Sequence, residues 1–150
     1  VTIIGIDPGS KGAVAMIEPG GTTFTDCLPY DGRKSLDVHR LKDLLTVDGD
    51  CRIFIEKPML LARQGGGLTT GMNYGRILAT IELMRLPYRE VSPQTWVSRI
   101  LGKTGGDKGF ALAKVKQLFP NAELILPRCK VPHDGIVDAL LIAEWGRRHG

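Results

Sequence analysis

The stretch Thr2-Ile3-Ile4-Gly5-Ile6-Asp7-Pro8-Gly9-Ser10-Lys11-Gly12-Ala13-Val14-Ala15-Met16-Ile17-Glu18 decides the fold. A nearly unbroken apolar run up to Ile6 predicts a strand buried on both faces, so residues 2–7 read as a central strand that ends at Asp7. The Pro8-Gly9-Ser10-Lys11-Gly12 segment is a tight turn, and residues 12–18 form a second strand beside the first. Pro19-Gly20-Gly21 repeats the turn signal before a third strand at 22–28. Three strands joined by short turns make an antiparallel meander.

The pattern then changes. Leu36, Val38, Leu41, Leu44 and Leu45 recur near helical spacing, which predicts a helix over 35–46 with Ser35 as its cap. A fourth strand occupies 51–56 and ends at Glu56. Pro58 stops it, and a loop follows, with Gln64-Gly65-Gly66-Gly67 expected to be mobile before binding. A helix is predicted over 68–86, a short strand over 87–91, and a helix from the Ser92-Pro93 start to Leu101. Residues 102–109 read as a flexible basic loop and 110–118 as a helix. Residues 120–132 are irregular, and the last helix covers 133–148. Strand–helix crossovers after a meander give an α/β fold with a mixed sheet, an antiparallel three-strand meander plus two parallel strands, flanked by helices. No repeat or linker divides residues 1–150, so a single domain is expected.

Bulk properties narrow the class. Of the 150 residues 43% are hydrophobic and 24% charged, as in a water-soluble globular chain. A net charge of +4 suits a polyanionic partner without requiring one. Cys27, Cys51 and Cys129 are odd in number and widely spaced, which excludes a disulfide framework and zinc-type spacing and favours a reducing compartment. No apolar stretch has membrane-spanning length, and the start lacks a secretory pattern. The expectation is a cytoplasmic protein with no membrane partner.

Four acids stand out against this basic background. Asp7 and Glu56 each end an apolar strand, where a carboxylate is partly desolvated and needs a cation or donors. Asp134 and Asp138 lie four apart, on one face of the last helix, where like charges repel. Asp134 alone could serve the helix macrodipole, and Asp7 alone could be a turn residue. Asp138, among Val137, Ala139, Leu140 and Leu141, has no such explanation. Together the four predict an oxygen-ligand site for magnesium, with Asp7 bridging two ions that act on a phosphodiester.

The segments Ile4-Gly5-Ile6-Asp7-Pro8-Gly9, Ile55-Glu56-Lys57, Asn73-Tyr74-Gly75-Arg76, Ser92-Pro93-Gln94-Thr95-Trp96 and His133-Asp134-Gly135 with Asp138-Ala139-Leu140 occur in the order found in RuvC-type Holliday-junction resolvases, which this chain resembles. Its length is most similar to compact phage-type members. The resemblance implies a ribonuclease H-like fold and a homodimeric endonuclease in a bacterial or phage-infected cell. It would resolve four-way DNA junctions by paired cuts with Mg2+, or Mn2+ as an alternative, using two ions per site. It carries the catalytic and metal-binding roles to Asp7, Glu56, Asp134 and Asp138. Many bacterial members space the helix acids three apart, and some relatives place a His first, so His133 is a rival to Asp134 as ligand or base. Several relatives also insert an aromatic wedge after the Glu, where this chain has Met59-Leu60-Leu61, an aliphatic wedge.

Basic residues flank these acids. Lys57, Met59, Arg63 and Arg76 surround the Glu56 loop. Lys103 and Lys108 are placed on the glycine-rich loop, Lys114 and Lys116 on the next helix, and Arg128 and Lys130 before the last helix. Together they are expected to contact DNA phosphates, with Lys108 or Lys130 also stabilising transition-state charge. Gly71 and Gly75 on the 68–86 helix are expected at the dimer interface, or against a neighbouring element of the same chain. Gly102-Lys103-Thr104 lacks the upstream glycine of a nucleotide-binding loop, so no nucleotide cofactor is expected. Cleavage of RNA/DNA hybrids or of other branched DNA, non-catalytic junction binding, and an actin-like or sugar-kinase ATPase are the competing readings.

Overall fold

The computed structural model describes residues 1–59, 67–102 and 107–150. Five strands, β1 (Thr2–Asp7), β2 (Ala13–Ile17), β3 (Thr23–Cys27), β4 (Cys51–Glu56) and β5 (Tyr88–Val91), form one sheet in the order β3-β2-β1-β4-β5. The β1–β2 and β2–β3 pairs are antiparallel, while β1–β4 and β4–β5 are parallel. The meander and the central position of β1 are therefore as its apolar run predicts. Among the described residues the helices are α1 (Val38–Leu45), α2 (Gly67–Leu83), α3 (Pro93–Ile100), α4 (Lys108–Leu118) and α5 (Asp134–His149).

Successive residues of a strand face opposite sides of a sheet. Ile4, Ile6, Ile53 and Ile55 pack into a core with α1 and α2, and Ile3, Phe54, Ala13 and Ala15 into a second core under α3, α4 and α5. Helix α5 lies against the centre of the sheet and is buried from Gly135 to Gly146 except at Asp138.

Two helix starts differ from the sequence expectation. Helix α1 is capped by Asp37, which accepts hydrogen bonds from the His39 and Arg40 backbone, rather than by Ser35. The Asp31 carboxylate holds the backbone N–H of Arg33 and Ser35 in a turn, and Leu36 bridges to Tyr30, so the chain is committed elsewhere until Asp37. Helix α4 begins at Lys108 under an Asp107 cap, so Lys108 belongs to a helix and not to the loop. The aspartates satisfy two otherwise unpaired N–H groups at each start. Helix α2 ends at Leu83, earlier than expected, where Arg85 adopts a left-handed conformation with φ 56°.

Candidate metal centre

Sheet geometry brings Asp7 and Glu56 together. Ile6 is in register with Ile55 across the parallel β1–β4 pair, so the next residues, Asp7 and Glu56, end neighbouring strands at the same edge. Asp7 shares the parity of Ile3 and Gly5, and Glu56 that of Phe54, so both side chains leave the sheet on the α5 side. Helix α5 can settle there because Gly5 and Gly135 have no side chain. A Cβ on Gly5 would lie 2.1 Å from the Ala139 carbonyl oxygen, and one on Gly135 would lie 2.1 Å from that of Lys11. Asp138, one turn into α5, completes the group.

The three carboxylates are partly buried and repel one another. Burial drives Asp7 up to about 6, against the lowering effect of the Gly9 N–H at 2.9 Å, and the Glu56 charge adds to the rise. Asp138 is driven up to about 7 by burial and by the charges of Asp7, Glu56 and Asp134, with only Lys108 opposing. Burial also raises Glu56, although the Trp96 indole N–H donates to its Oε2 at 2.6 Å.

The chain has another buried acid in α5 for comparison. Glu144 is fully buried, and burial pushes its carboxyl up, but Arg147 and Arg148 reach it at 2.7 and 2.6 Å and hold it below the usual range. Among the described residues Asp7, Glu56 and Asp138 have no salt-bridge partner. A structural carboxylate in this protein carries its own cations, and these three do not. Hard oxygen donors with mutual like charge fit a divalent cation. Among the described residues, no group of three His, Cys, Asp or Glu side chains is placed to share one ion. The fit therefore lies in the donor chemistry and the shared electrostatics.

A pH dependence follows. Cation binding requires ionised carboxylates. With Asp7 near 6 and Asp138 near 7, Mg2+ affinity should fall about 20-fold from pH 8 to pH 6 as both take up protons. Calorimetric titration across that range checks this, and a flat profile would contradict it. Stability without cation runs the other way. The folded state keeps protons that the unfolded chain releases from about pH 4 upward, so this contribution is lost as pH rises through 6 to 7.

The other predicted residues divide. Asp134 is exposed and paired with Lys108 at 2.5 Å, close enough to add its charge to Asp138. His133 caps α5: its Nδ1 accepts from the Ile136 N–H at 3.3 Å, and its Nε2 lies 3.8 Å from the Cys27 sulfur. Both ring nitrogens are thus engaged away from the three carboxylates. Lys57 is exposed, 3.8 Å from Glu90. Met59 is 59% exposed at the end of the described β4 segment. Arg128 and Lys130 are exposed, and Lys114 is half-buried. Arg76 donates to the Ser35 hydroxyl, a contact that ties α2 to the turn before α1. Arg63 and Lys103 lie outside the described residues, as does most of the glycine-rich stretch after Glu56.

Two residues had no role in the sequence reading. Trp96 is 3% exposed, and its indole N–H finds its acceptor in Glu56. Tyr30 donates its hydroxyl to the Gly9 carbonyl at 2.7 Å, which braces the turn after Asp7. Burial and the Asp7 charge push its hydroxyl up to about 12. Trp96 was visible within the Ser92-Pro93-Gln94-Thr95-Trp96 segment, but only strand pairing shows that this helix starts beside Glu56.

The five-stranded mixed sheet with helices on both faces is an α/β fold of the ribonuclease H-like class. Within that class the fold is that of RuvC. A structure of Thermus thermophilus RuvC matches with a TM-score of 0.64 at 17% identity, over 99% of this chain and 96% of that one. T. thermophilus RuvC in complex with a Holliday junction substrate matches with a TM-score of 0.68 at 17% identity, over 100% and 97% of the two chains. No protein-family model and no curated protein matched the sequence. Among the described residues no helix is long and apolar enough to cross a membrane.

Proposed function

We propose that this chain is a metal-dependent, structure-selective endodeoxyribonuclease that resolves four-way DNA junctions by paired phosphodiester cleavage. The observation that carries the reading is the set of partly buried carboxylates Asp7, Glu56 and Asp138, mutually repelling and without a salt-bridge partner among the described residues. The RuvC-type fold, seen elsewhere in a protein solved with a Holliday junction, supports the choice of substrate.

Asp7, Glu56 and Asp138 would hold Mg2+ or Mn2+, with Asp134 joining once released from Lys108, and two ions per site is the working stoichiometry. The cation supplies charge stabilisation to the reacting phosphate and activates water. Trp96 fixes the Glu56 carboxylate, and the Gly9 N–H together with Tyr30 fixes the Asp7 turn. Lys108, freed from Asp134, would face the phosphate. Lys57, Arg63, Lys103, Lys114, Arg128 and Lys130 would neutralise DNA phosphates, and Met59 would press against an unstacked base. Arg76 belongs with the scaffold. Cleavage assays on junction, duplex and RNA/DNA hybrid, run side by side, test the reading. Paired nicks in the junction are expected, and preferential hybrid cutting would replace it with a ribonuclease H activity.

Paired cuts need two sites, and α2 offers the surface for a homodimer. Leu68, Met72 and Leu83 are 79%, 53% and 85% exposed, and Gly75 and Ala79 complete the apolar stripe. Among the described residues nothing lies within 4 Å of a Cβ built on Gly75, so no packing among them explains a glycine costing about 1 kcal/mol of helix propensity there. Gly71, one turn earlier, would share the interface. Sedimentation should give a dimer at micromolar concentration, and Gly75→Arg a monomer. A monomeric unaltered protein would contradict the interface.

A further inference from the structure

We propose that a cavity beside the Asp7 turn is a phosphodiester-binding subsite that holds the DNA strand next to the acidic centre. The inference rests on the function proposed above. The cavity has a volume of about 470 Å³ and is lined by Ser10, Lys11, Tyr30, Lys34, Thr69 and Thr70, with Pro8 and Asn73 closing it. That size is within the roughly 300–1,000 Å³ of ligand pockets.

Its chemistry is one-sided. Two lysines and three residues with aliphatic hydroxyls line it, and among the described residues no acidic residue does. Among the described residues neither Lys11 nor Lys34 forms a salt bridge. The nearest acid in the Lys34 turn, Asp31, is already occupied by the Arg33 and Ser35 N–H groups, which hold its carboxyl below the usual range. A cavity whose polar groups are chiefly lysine and hydroxyl side chains fits an anion with several acceptor oxygens, and a phosphodiester has that character.

The two lysines project from fixed backbone. The Lys11 carbonyl abuts Gly135 of α5 so closely that a Cβ would collide with it. Lys34 has φ 59°, uncommon for a residue with a side chain. Its N–H donates to the Asp31 carbonyl at 2.9 Å, and its carbonyl accepts the amide of the buried Asn73 at 2.8 Å. Asn73 also accepts from the Leu36 N–H at 3.0 Å, so one buried amide joins α2 to the turn that presents Lys34. The cavity wall starts at Pro8, the residue after Asp7, and Tyr30 touches both the cavity and the Gly9 carbonyl. A phosphate seated there places the strand beside the carboxylates without adding a cation between them.

The test measures junction affinity of the full chain without divalent metal, across a range of salt concentrations. Lys11→Gln/Lys34→Gln should bind about tenfold more weakly and lower the magnitude of the log–log salt slope by about 1.8, as for two lost phosphate contacts. Lys11→Arg/Lys34→Arg should restore both, and Lys42→Gln, outside the cavity, should leave both affinity and slope unchanged, whereas each single cavity variant should lower the slope by about 0.9. An unchanged slope and affinity in the double Gln variant, while the unaltered protein binds junctions, would overturn the subsite and leave the proposed function standing. Equal losses in Lys42→Gln and in either single cavity variant would overturn it too, by showing general electrostatics. Inorganic phosphate that displaces DNA from the unaltered protein at constant ionic strength, but not from the double variant, would support the subsite, because phosphate and DNA then compete for the same cavity. Absence of junction binding by the unaltered protein would sink the function itself.

Discussion

Asp7→Asn should reduce junction cutting on the order of 10³-fold while leaving junction binding intact. Asp7 ends the central strand, next to Glu56 and across from Asp138, and its charge is felt by both sides of the group. The amide keeps the shape and can still accept from the Gly9 N–H, so the turn should survive. What disappears is an anionic oxygen donor, and with it the attraction for a hard cation. Binding depends on basic side chains elsewhere, so the two readouts should separate. Folding supplies a third. Removing one of three repelling charges should raise the thermal midpoint of the cation-free protein at pH 8, where Asp7 is ionised in the unaltered chain. Normal cutting by Asp7→Asn would show that the group is not the catalytic centre.

Gly5→Ala should destabilise the fold by about 3 kcal/mol, roughly 10 °C in the thermal midpoint, and abolish activity in whatever folds. The added methyl would meet the Ala139 carbonyl oxygen at 2.1 Å and the Ala143 amide nitrogen at 2.5 Å, both backbone atoms of α5. No rotamer change relieves such a contact, so α5 must move off β1. Asp7 rides on β1 and Asp138 on α5, so their relative placement shifts as well. A displacement of about 1 Å is enough to cost roughly 100-fold in rate. Gly75→Ala is the control in the same protein: its Cβ would enter open space, and helix propensity should make each protomer slightly more stable. A midpoint for Gly5→Ala within about 2 °C of the unaltered protein would mean that α5 is not seated on the sheet as described.

The parts of this architecture that depend on local pattern were legible in the sequence. The apolar run into Asp7 marks β1 as buried on both faces, and it is the central strand. Glu56 ends β4 at the expected residue, and Ser92 caps α3 with Pro93 in its first turn. Asp138 stood out because nothing in its helix context explained an acid, and its partly buried, strongly shifted carboxyl fits that reading.

What stayed hidden depends on tertiary partners. Ser35 and Asp37 are both good caps by residue type. The choice was made by the Asp31 turn and by the Tyr30–Leu36 bridge, which occupy residues 31–36. Lys108 read as loop because Gly109 is a poor helix former, but Asp107 caps both the Gly109 and Phe110 N–H groups. The Trp96–Glu56 hydrogen bond spans 40 positions. The Lys11–Lys34 cavity joins three separate segments, and no single window contains its donors.

Anomalous scattering from Mn2+ in crystals of the protein gives the most direct reading of the centre. An ion is expected with carboxylate oxygens of Asp7, Glu56 and Asp138 around it at roughly 2.0–2.6 Å. Crystals grown at pH 8 that hold Mn2+ only at other positions, with these three side chains apart, would contradict the metal centre and the nuclease built on it.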